Sequence, residues 1–375
     1  MSEKYLQVSN LGEKKLIERI IKKSKDFSNL KKSNNDSKDM FNDISLNTNF
    51  TTYIGDDSAL INFTNKEDSY LVATSDILLE KSHFPKQMSY FQMGWKAVIV
   101  NVSDLAAMGA SPSGILISLA IPPQLKLIYF DEIIDGILKA SYKYNIPLIG
   151  GDTNQADEII ISGTALGKVK KTKAMKKSGF KKGDLIAITG DIGLAALGFE
   201  ILKEENIEII KDGLKKKIIS QEIVNLAIKK ALQPKAKLNE GIILNQFASS
   251  ATDITDGLAS ELYELYNADK INNKESNLGL KIYENKITNL PSFKEIYKVS
   301  KILNKDPLEL ILHIGEDFEL LFTFNKDITN TDNKAINNVD FIILGEINNS
   351  NRVEIEYSNG KIEKLSSKGY EHLKD

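Results

Sequence analysis

The sequence predicts a two-domain chain of the α/β or α+β class. Three observations carry this. The chain has 375 residues, and a single core rarely grows much past roughly 250 residues. Apolar residues make up 42% and charged residues 27%, the balance of a globular protein with a sizeable core. Strand-like runs alternate with runs of helical spacing in both halves.

The elements follow in order. Residues 13–25 have helical spacing of Leu16, Ile17, Ile20 and Ile21. Residues 26–52 are rich in Asn, Ser, Lys and Asp and read as a polar loop insertion. Residues 70–75 predict a strand, 93–108 a helix, 114–121 a buried strand, 126–144 a helix, 147–149 a short strand and 159–166 another strand. The lysine-rich stretch 168–182 is a plausible domain junction. The second half predicts a strand at 185–189 and helices at 193–203, 218–232 and 236–247. A strand at 250–254 and a helix at 257–266 follow. Polar loops are expected at 267–277 and 325–338, with late strands at 319–324, 341–344 and 353–357. Periodicity does not fix the strand order.

Composition removes several function classes. The formal net charge is −2, which gives no electrostatic reason to expect nucleic acid. There is no cysteine, hence no disulfide, thiolate metal site or cysteine nucleophile. The first 20 residues carry charges throughout and do not read as a signal peptide. The nearest candidate for a membrane span, 185–202, contains Asp191 and Glu200, so no membrane partner is expected and a cytoplasmic location is the default. The only arginines are Arg19 and Arg352. A phosphate clamp must therefore rely on Lys, backbone N–H groups or metal ions.

The chemistry lies in where the acids fall. Asp residues stand beside glycines and strand ends in Gly55-Asp56-Asp57, Thr74-Ser75-Asp76, Gly150-Gly151-Asp152-Thr153, Asp253-Ile254-Thr255-Asp256-Gly257 and Gly315-Glu316-Asp317. Asp104 interrupts an apolar helix beside Val102, Leu105, Ala106, Ala107 and Met108. Ligand sites gather beyond the carboxyl ends of strands, where loops converge. Converging carboxylates repel by about 4 kcal/mol per pair at 4 Å and an effective dielectric near 20, so protonation or bound cations must offset them. An all-oxygen donor set favours Mg²⁺ or Ca²⁺, and Mg²⁺ shares its sphere with phosphates. Each motif alone has a plainer reading. A Gly-Asp pair is a common turn, Asp253, Thr255 and Asp256 would serve as helix caps, and Asp104 would pair with a lysine. The protein-kinase HRD and DFG motifs are absent.

Taken together, the segments IGDDSA (54–59), TSDILLEKSHF (74–84), GWKAVIVNVSDLAAMGASP (94–112), IGGDT (149–153), SGFKKGD (178–184), ATDITDGL (251–258), GEDFELL (315–321) and KGYEH (368–372) resemble the thiamine-monophosphate kinase family. That family lies within the aminoimidazole ribonucleotide synthetase-like superfamily. The resemblance implies a two-domain fold with a mixed sheet and packed helices in each domain. Residues 1–168 would bind ATP and Mg²⁺ and dimerise, and 169–375 would complete the active site. It further implies ATP-dependent phosphorylation of thiamine monophosphate to thiamine diphosphate, with several Mg²⁺ ions and a homodimer. Asp57, Asp76, Asp104, Asp152, Asp253 and Asp256 match magnesium ligands, with Thr74 and Ser75 near metal. Gly151, Asp152, Lys177 and Thr255 match ATP contacts. His83, Glu316 and Tyr370 match contacts to thiamine phosphate. Lys177 stands where the family has Arg, and Glu80-Lys81-Ser82 replaces a small Gly-containing stretch before His83.

Overall fold

The computed structural model describes residues 57–62, 68–330 and 335–367. The expected helix at 13–25, the 26–52 insertion and the 368–372 motif with Tyr370 lie outside the described residues.

The first half builds a five-stranded sheet from β1 (Ala59–Asn62), β2 (Ser69–Leu79), β3 (Ser111–Ile121), β4 (Leu148–Gln155) and β5 (Ile160–Lys170), in the order β1-β2-β5-β3-β4. β3 and β4 are parallel and the other pairs antiparallel, so the sheet is mixed. A parallel pair needs a long crossover, and α3 (Leu127–Lys143) supplies it. In β5 every second residue from Ile161 to Val169 is buried, the signature of a strand with one face on the core. β4 differs from expectation. A Gly-Gly-Asp-Thr stretch reads as a turn, yet it continues as strand and pairs with β3 through Gln155. Pairing with a neighbour outweighs the weak local preference.

A four-residue turn of helix, α1 (Glu80–His83), follows β2. The central helix is α2 (Tyr90–Ala107). Ser89 opens it with a reciprocal capping box to Gln92. Its buried residues run all round the helix, as expected for one enclosed on every side. It crosses α3 through two glycines. A Cβ on Gly94 would stand 2.0 Å from the Ile133 carbonyl oxygen, and one on Gly136 would stand 2.0 Å from that of Phe91. Larger residues would push the helices apart.

The second half builds a seven-stranded sheet in the order β12-β11-β8-β10-β6-β9-β7. Its strands are β6 (Asp184–Ile188), β7 (Ala248–Asp253), β8 (Gly279–Tyr283), β9 (Leu320–Asn325), β10 (Ile342–Asn348), β11 (Val353–Glu356) and β12 (Ile362–Lys364). β8 and β11 run parallel and the remaining pairs antiparallel. The first sheet ends at Lys170 and the second begins at Asp184. The helices are α4 (Leu194–Leu202), α5 (Ile207–Lys215), α6 (Gln221–Leu232), α7 (Leu238–Leu244), α8 (Leu258–Asn272), α9 (Glu284–Thr288), α10 (Phe293–Ile302) and α11 (Pro307–His313). The expected loop at 267–277 is helix as far as Asn272. Among the described residues no helix is long and apolar enough to cross a membrane.

β9 explains how the halves join. Leu320, Phe322 and Phe324 belong to the apolar cluster that contains Val98, Val102 and Leu105 of α2, while Leu321 belongs to the cluster of the second half. A strand buried on both faces reads as a continuous apolar run, which Leu320-Leu321-Phe322 is. Trp95, the one tryptophan of the sequence, seals the same seam. It is buried, and its indole N–H donates to the Pro234 carbonyl at 2.7 Å.

Candidate active site

Carboxylates from four segments meet at the seam between the two sheets. Asp57 precedes β1, Asp76 lies on β2, Asp104 on the last turn of α2 and Asp253 at the end of β7. Carboxylate oxygens of Asp57, Asp104 and Asp253 all lie within 4.8 Å of one another. Asp104 is the acid the sequence marked inside an apolar helix. It sits near the negative end of the helix dipole, which does nothing to favour its charge.

Burial dominates the electrostatics. It raises the Asp104 carboxyl well above the usual range, and the charges of Asp76, Asp253 and Asp57 add to it against the Thr74 hydrogen bond. Burial and then Asp57 push Asp253 up to about 7. Burial pushes Asp76 up to about 6. Asp57 is raised by burial and opposed by Lys177, whose Nζ stands 2.7 Å from Asp57 Oδ1. Burial works against the Lys177 ammonium, but Asp57, Glu264 and Glu261 outweigh it and hold its pKa well above the ordinary value. Among the described residues Asp76 Oδ2 and Asp253 Oδ2 are buried without a hydrogen-bond partner. Buried oxygens of this kind need protonation or a cation. The donor set is entirely oxygen and therefore fits a hard divalent ion such as Mg²⁺.

The other expected residues divide into groups. Thr74 joins the cluster: its hydroxyl donates to Asp104 Oδ2 and, at 3.2 Å, to the Asp57 carbonyl. Ser75 does not, because strand alternation turns it to the opposite face. There its hydroxyl donates to the Gly163 carbonyl at 3.0 Å. Asp256 lies in the turn that opens α8, where its N–H donates to Glu261 Oε1 at 3.1 Å. Thr255 precedes it, and its carbonyl accepts the Glu316 N–H at 2.8 Å.

Gly151 and Asp152 stand apart within one chain. Asp76 is paired with Gly163, Gly163 with Ile117, and Ile117 with Gly151. Three strand spacings of about 4.8 Å put β4 about 14 Å across the sheet from β2. Every residue of β4 is exposed.

His83 Nδ1 accepts the Leu79 N–H at 2.9 Å. Glu316 binds Lys96, with Nζ at 2.6 and 2.7 Å from its two oxygens. Its neighbours Asp317 and Glu319 take other partners. Asp317 accepts the Gly193 N–H at the start of α4 at 2.9 Å, and burial pushes its carboxyl up to about 7. Glu319 is buried and accepts from Thr189 Oγ1 at 2.9 Å and Lys237 Nζ at 3.2 Å.

Sequence reasoning missed Lys96, Glu261 and Glu264. Lys96 had a readable signal, since a charge between Trp95 and Ala97-Val98-Ile99 raises the same question as Asp104. Glu261 is raised well above the usual range by burial and then by Asp256, with Lys177 opposing. Nothing in the spacing of α8 distinguishes it from a surface acid.

Comparison with known proteins fits this architecture. Residues 55–169 match the family model for AIR synthase related protein, N-terminal domain. The solved structure described as AaThiL complexed with AMPPCP and TMP superposes with a TM-score of 0.75 at 26% identity, covering 98% of this chain and 99% of that one. Fold and carboxylate seam thus define a two-domain member of the aminoimidazole ribonucleotide synthetase-like class. Thiamine-monophosphate kinase of Pyrococcus abyssi is 37% identical over 323 residues, 85% of this chain and 90% of that protein. That of Buchnera aphidicola subsp. Acyrthosiphon pisum is 36% identical over 273 residues, 73% of this chain and 76% of that protein. The chain belongs to the thiamine-monophosphate kinase family.

Proposed function

We infer that this chain transfers the γ-phosphoryl group of ATP to the phosphate of thiamine monophosphate, giving thiamine diphosphate and ADP. The observation that carries the reading is the buried meeting of Asp57, Asp104 and Asp253 in a chain of this family. Asp57, Asp76, Asp104 and Asp253 would hold Mg²⁺, with Thr74 fixing Asp104 and Asp256 at the rim. Bound there, Mg²⁺ supplies positive charge that offsets the repulsion between nucleotide and acceptor phosphates. Lys177 and Thr255 lie on the nucleotide side, while His83 and Glu316, together with Tyr370, serve the acceptor.

The acceptor phosphate has a second pKa of about 6 and is largely ionised at neutral pH. It attacks in line without a general base, and no covalent enzyme intermediate is needed. The chain contributes position and electrostatics. Residues 1–168 form the nucleotide, Mg²⁺ and dimerisation domain in this reading, and 169–375 complete the site. A homodimer accounts for β4. An edge strand exposed along its length, with Leu148 and Ile149 bare at its start, is a surface that soluble proteins cover. Gly151 and Asp152 would then act in the assembled dimer. A cytoplasmic location goes with this chemistry.

The test is direct. Purified protein with ATP, Mg²⁺ and thiamine monophosphate should yield thiamine diphosphate and ADP in equal amounts. Free thiamine should be a poor acceptor, because it lacks the attacking phosphate. Efficient use of free thiamine with none of the monophosphate would overturn the assignment.

A further inference from the structure

Lys96 is among the largest fully buried side chains of the molecule, at 1% exposure. Its ammonium has three protons and three acceptors within reach. Two are the carboxylate oxygens of Glu316, at 2.6 and 2.7 Å, and the third is the His83 carbonyl at 2.8 Å. The three residues come from different places: α2, the end of α1, and the segment before β9. Lys96 and Glu316 are 220 positions apart in sequence and belong to opposite halves of the chain.

The Glu316 end is fixed independently. Its backbone has φ of +64°, in the left-handed region that non-glycine residues seldom occupy. Two backbone bonds hold it there, from Glu316 N–H to the Thr255 carbonyl at 2.8 Å and from Phe318 N–H to the Ile254 carbonyl at 3.0 Å. Gly315 leaves no space for a side chain, since a Cβ would stand 1.9 Å from the Thr255 carbonyl oxygen. A continuous strap therefore runs from His83 through Lys96 and Glu316 to Thr255. It joins the acceptor side of the site to the nucleotide side.

We propose that Lys96 is a positioning residue for phosphoryl transfer, which sets His83 and Glu316 around the thiamine phosphate by bridging the two halves of the chain. This rests on the reading of the site as a thiamine-phosphate kinase. With both carboxylate oxygens bound to Lys96, Glu316 presents the acceptor with a neutral ion pair. It is no isolated counter-charge for the cationic thiazolium. Recognition on this side depends on shape and hydrogen bonds that the pair fixes.

Substitution Lys96→Met keeps the aliphatic stem and removes the three donors. The backbone bonds to Thr255 survive it, so the two substrates should respond differently. The KM for thiamine monophosphate should rise about tenfold to a hundredfold, with the KM for ATP within about twofold. The Kd for thiamine monophosphate, measured by calorimetry without ATP, should weaken in parallel. Lys96→Met leaves the half-buried Glu316 without its ammonium partner and should lower the melting temperature. The double variant Lys96→Met, Glu316→Gln removes both charges and should recover that temperature while acceptor affinity stays weak. Acceptor affinity in Lys96→Met within twofold of the parent overturns the proposal. So does acceptor affinity that recovers together with melting temperature in the double variant. A parent that binds thiamine monophosphate but makes no diphosphate refutes the kinase reading alone, and a parent that binds none refutes both.

Discussion

Two sets of acids in this molecule are treated in opposite ways. Asp57, Asp76, Asp104 and Asp253 face one another, and the charges of Asp57, Asp76 and Asp253 each raise the pKa of at least one other member. Glu316, Asp317 and Glu319 fall within four consecutive positions yet take separate hydrogen-bond partners. Lys96 takes the first, the start of α4 the second, and Lys237 with Thr189 the third. The second set is closed by the protein's own donors and ties three separate elements to one segment. The first retains buried oxygens without donors and keeps an unspent capacity for cations. An acid that the fold satisfies contributes to structure, whereas an acid that it leaves crowded contributes to binding.

Substitutions can break this contrast. The largest effect should come from Asp104→Asn. Turnover should fall on the order of a thousandfold, the scale for losing one preorganised electrostatic group. The melting temperature of the metal-free protein should hold or rise, because three neighbouring charges lose their opponent. Steady-state kinetics beside calorimetry check both halves, and unchanged kinetics would remove Asp104 from the metal site. Glu319→Ala should behave in the reverse sense. It removes the carboxylate that Lys237 and Thr189 both bind and should lower unfolding free energy by roughly 2–3 kcal/mol, with KM values unchanged, as read by urea denaturation.

A pH series sharpens the same contrast. Asp76, Asp253 and Asp317 start from the ordinary aspartate value of 3.8 and are raised to about 6, about 7 and about 7 in the folded chain. Between those limits the folded state holds protons that the unfolded chain has released. Stability of metal-free protein should therefore be full below about pH 4 and decline as pH rises to about 7. Mg²⁺ should restore the share owed to Asp76 and Asp253. The remainder should persist with Mg²⁺ and vanish in Asp317→Asn, which keeps an acceptor for Gly193. Thermal melts with and without chelator measure it. The smallest effect belongs to Lys177→Arg, which should lower the KM for ATP by about twofold to fivefold, since Arg grips phosphate with a planar fork.

Most of the first half was legible in the sequence because its elements are long and periodic. β2, β3, β5, α2 and α3 fall within a few residues of where spacing put them, and Asp104 was marked by its apolar surroundings alone. The second half was harder. β8, β12 and the helices α5, α9, α10 and α11 went unread. They are short, carry many lysines and glutamates, and gain their stability from packing against β-sheet and neighbouring helices. Asn267 to Asn272 read as loop because asparagine favours turns, although α8 continues through them. The site was legible as a list of acids and illegible as an arrangement. Spacing could not show that Ser75 turns away, that β4 lies across the sheet, or that Lys96 meets Glu316 from the other half.

The lone tryptophan has a practical consequence. Its indole is tied to the Pro234 carbonyl across the seam, with the Lys143 ammonium 5.2 Å above the ring. Excited at the red edge, clear of the 13 tyrosines, the chain's fluorescence thus arises from a single point where the two halves meet. Emission colour and quenching will report any opening or shutting of the cleft as nucleotide and acceptor arrive, with no label added.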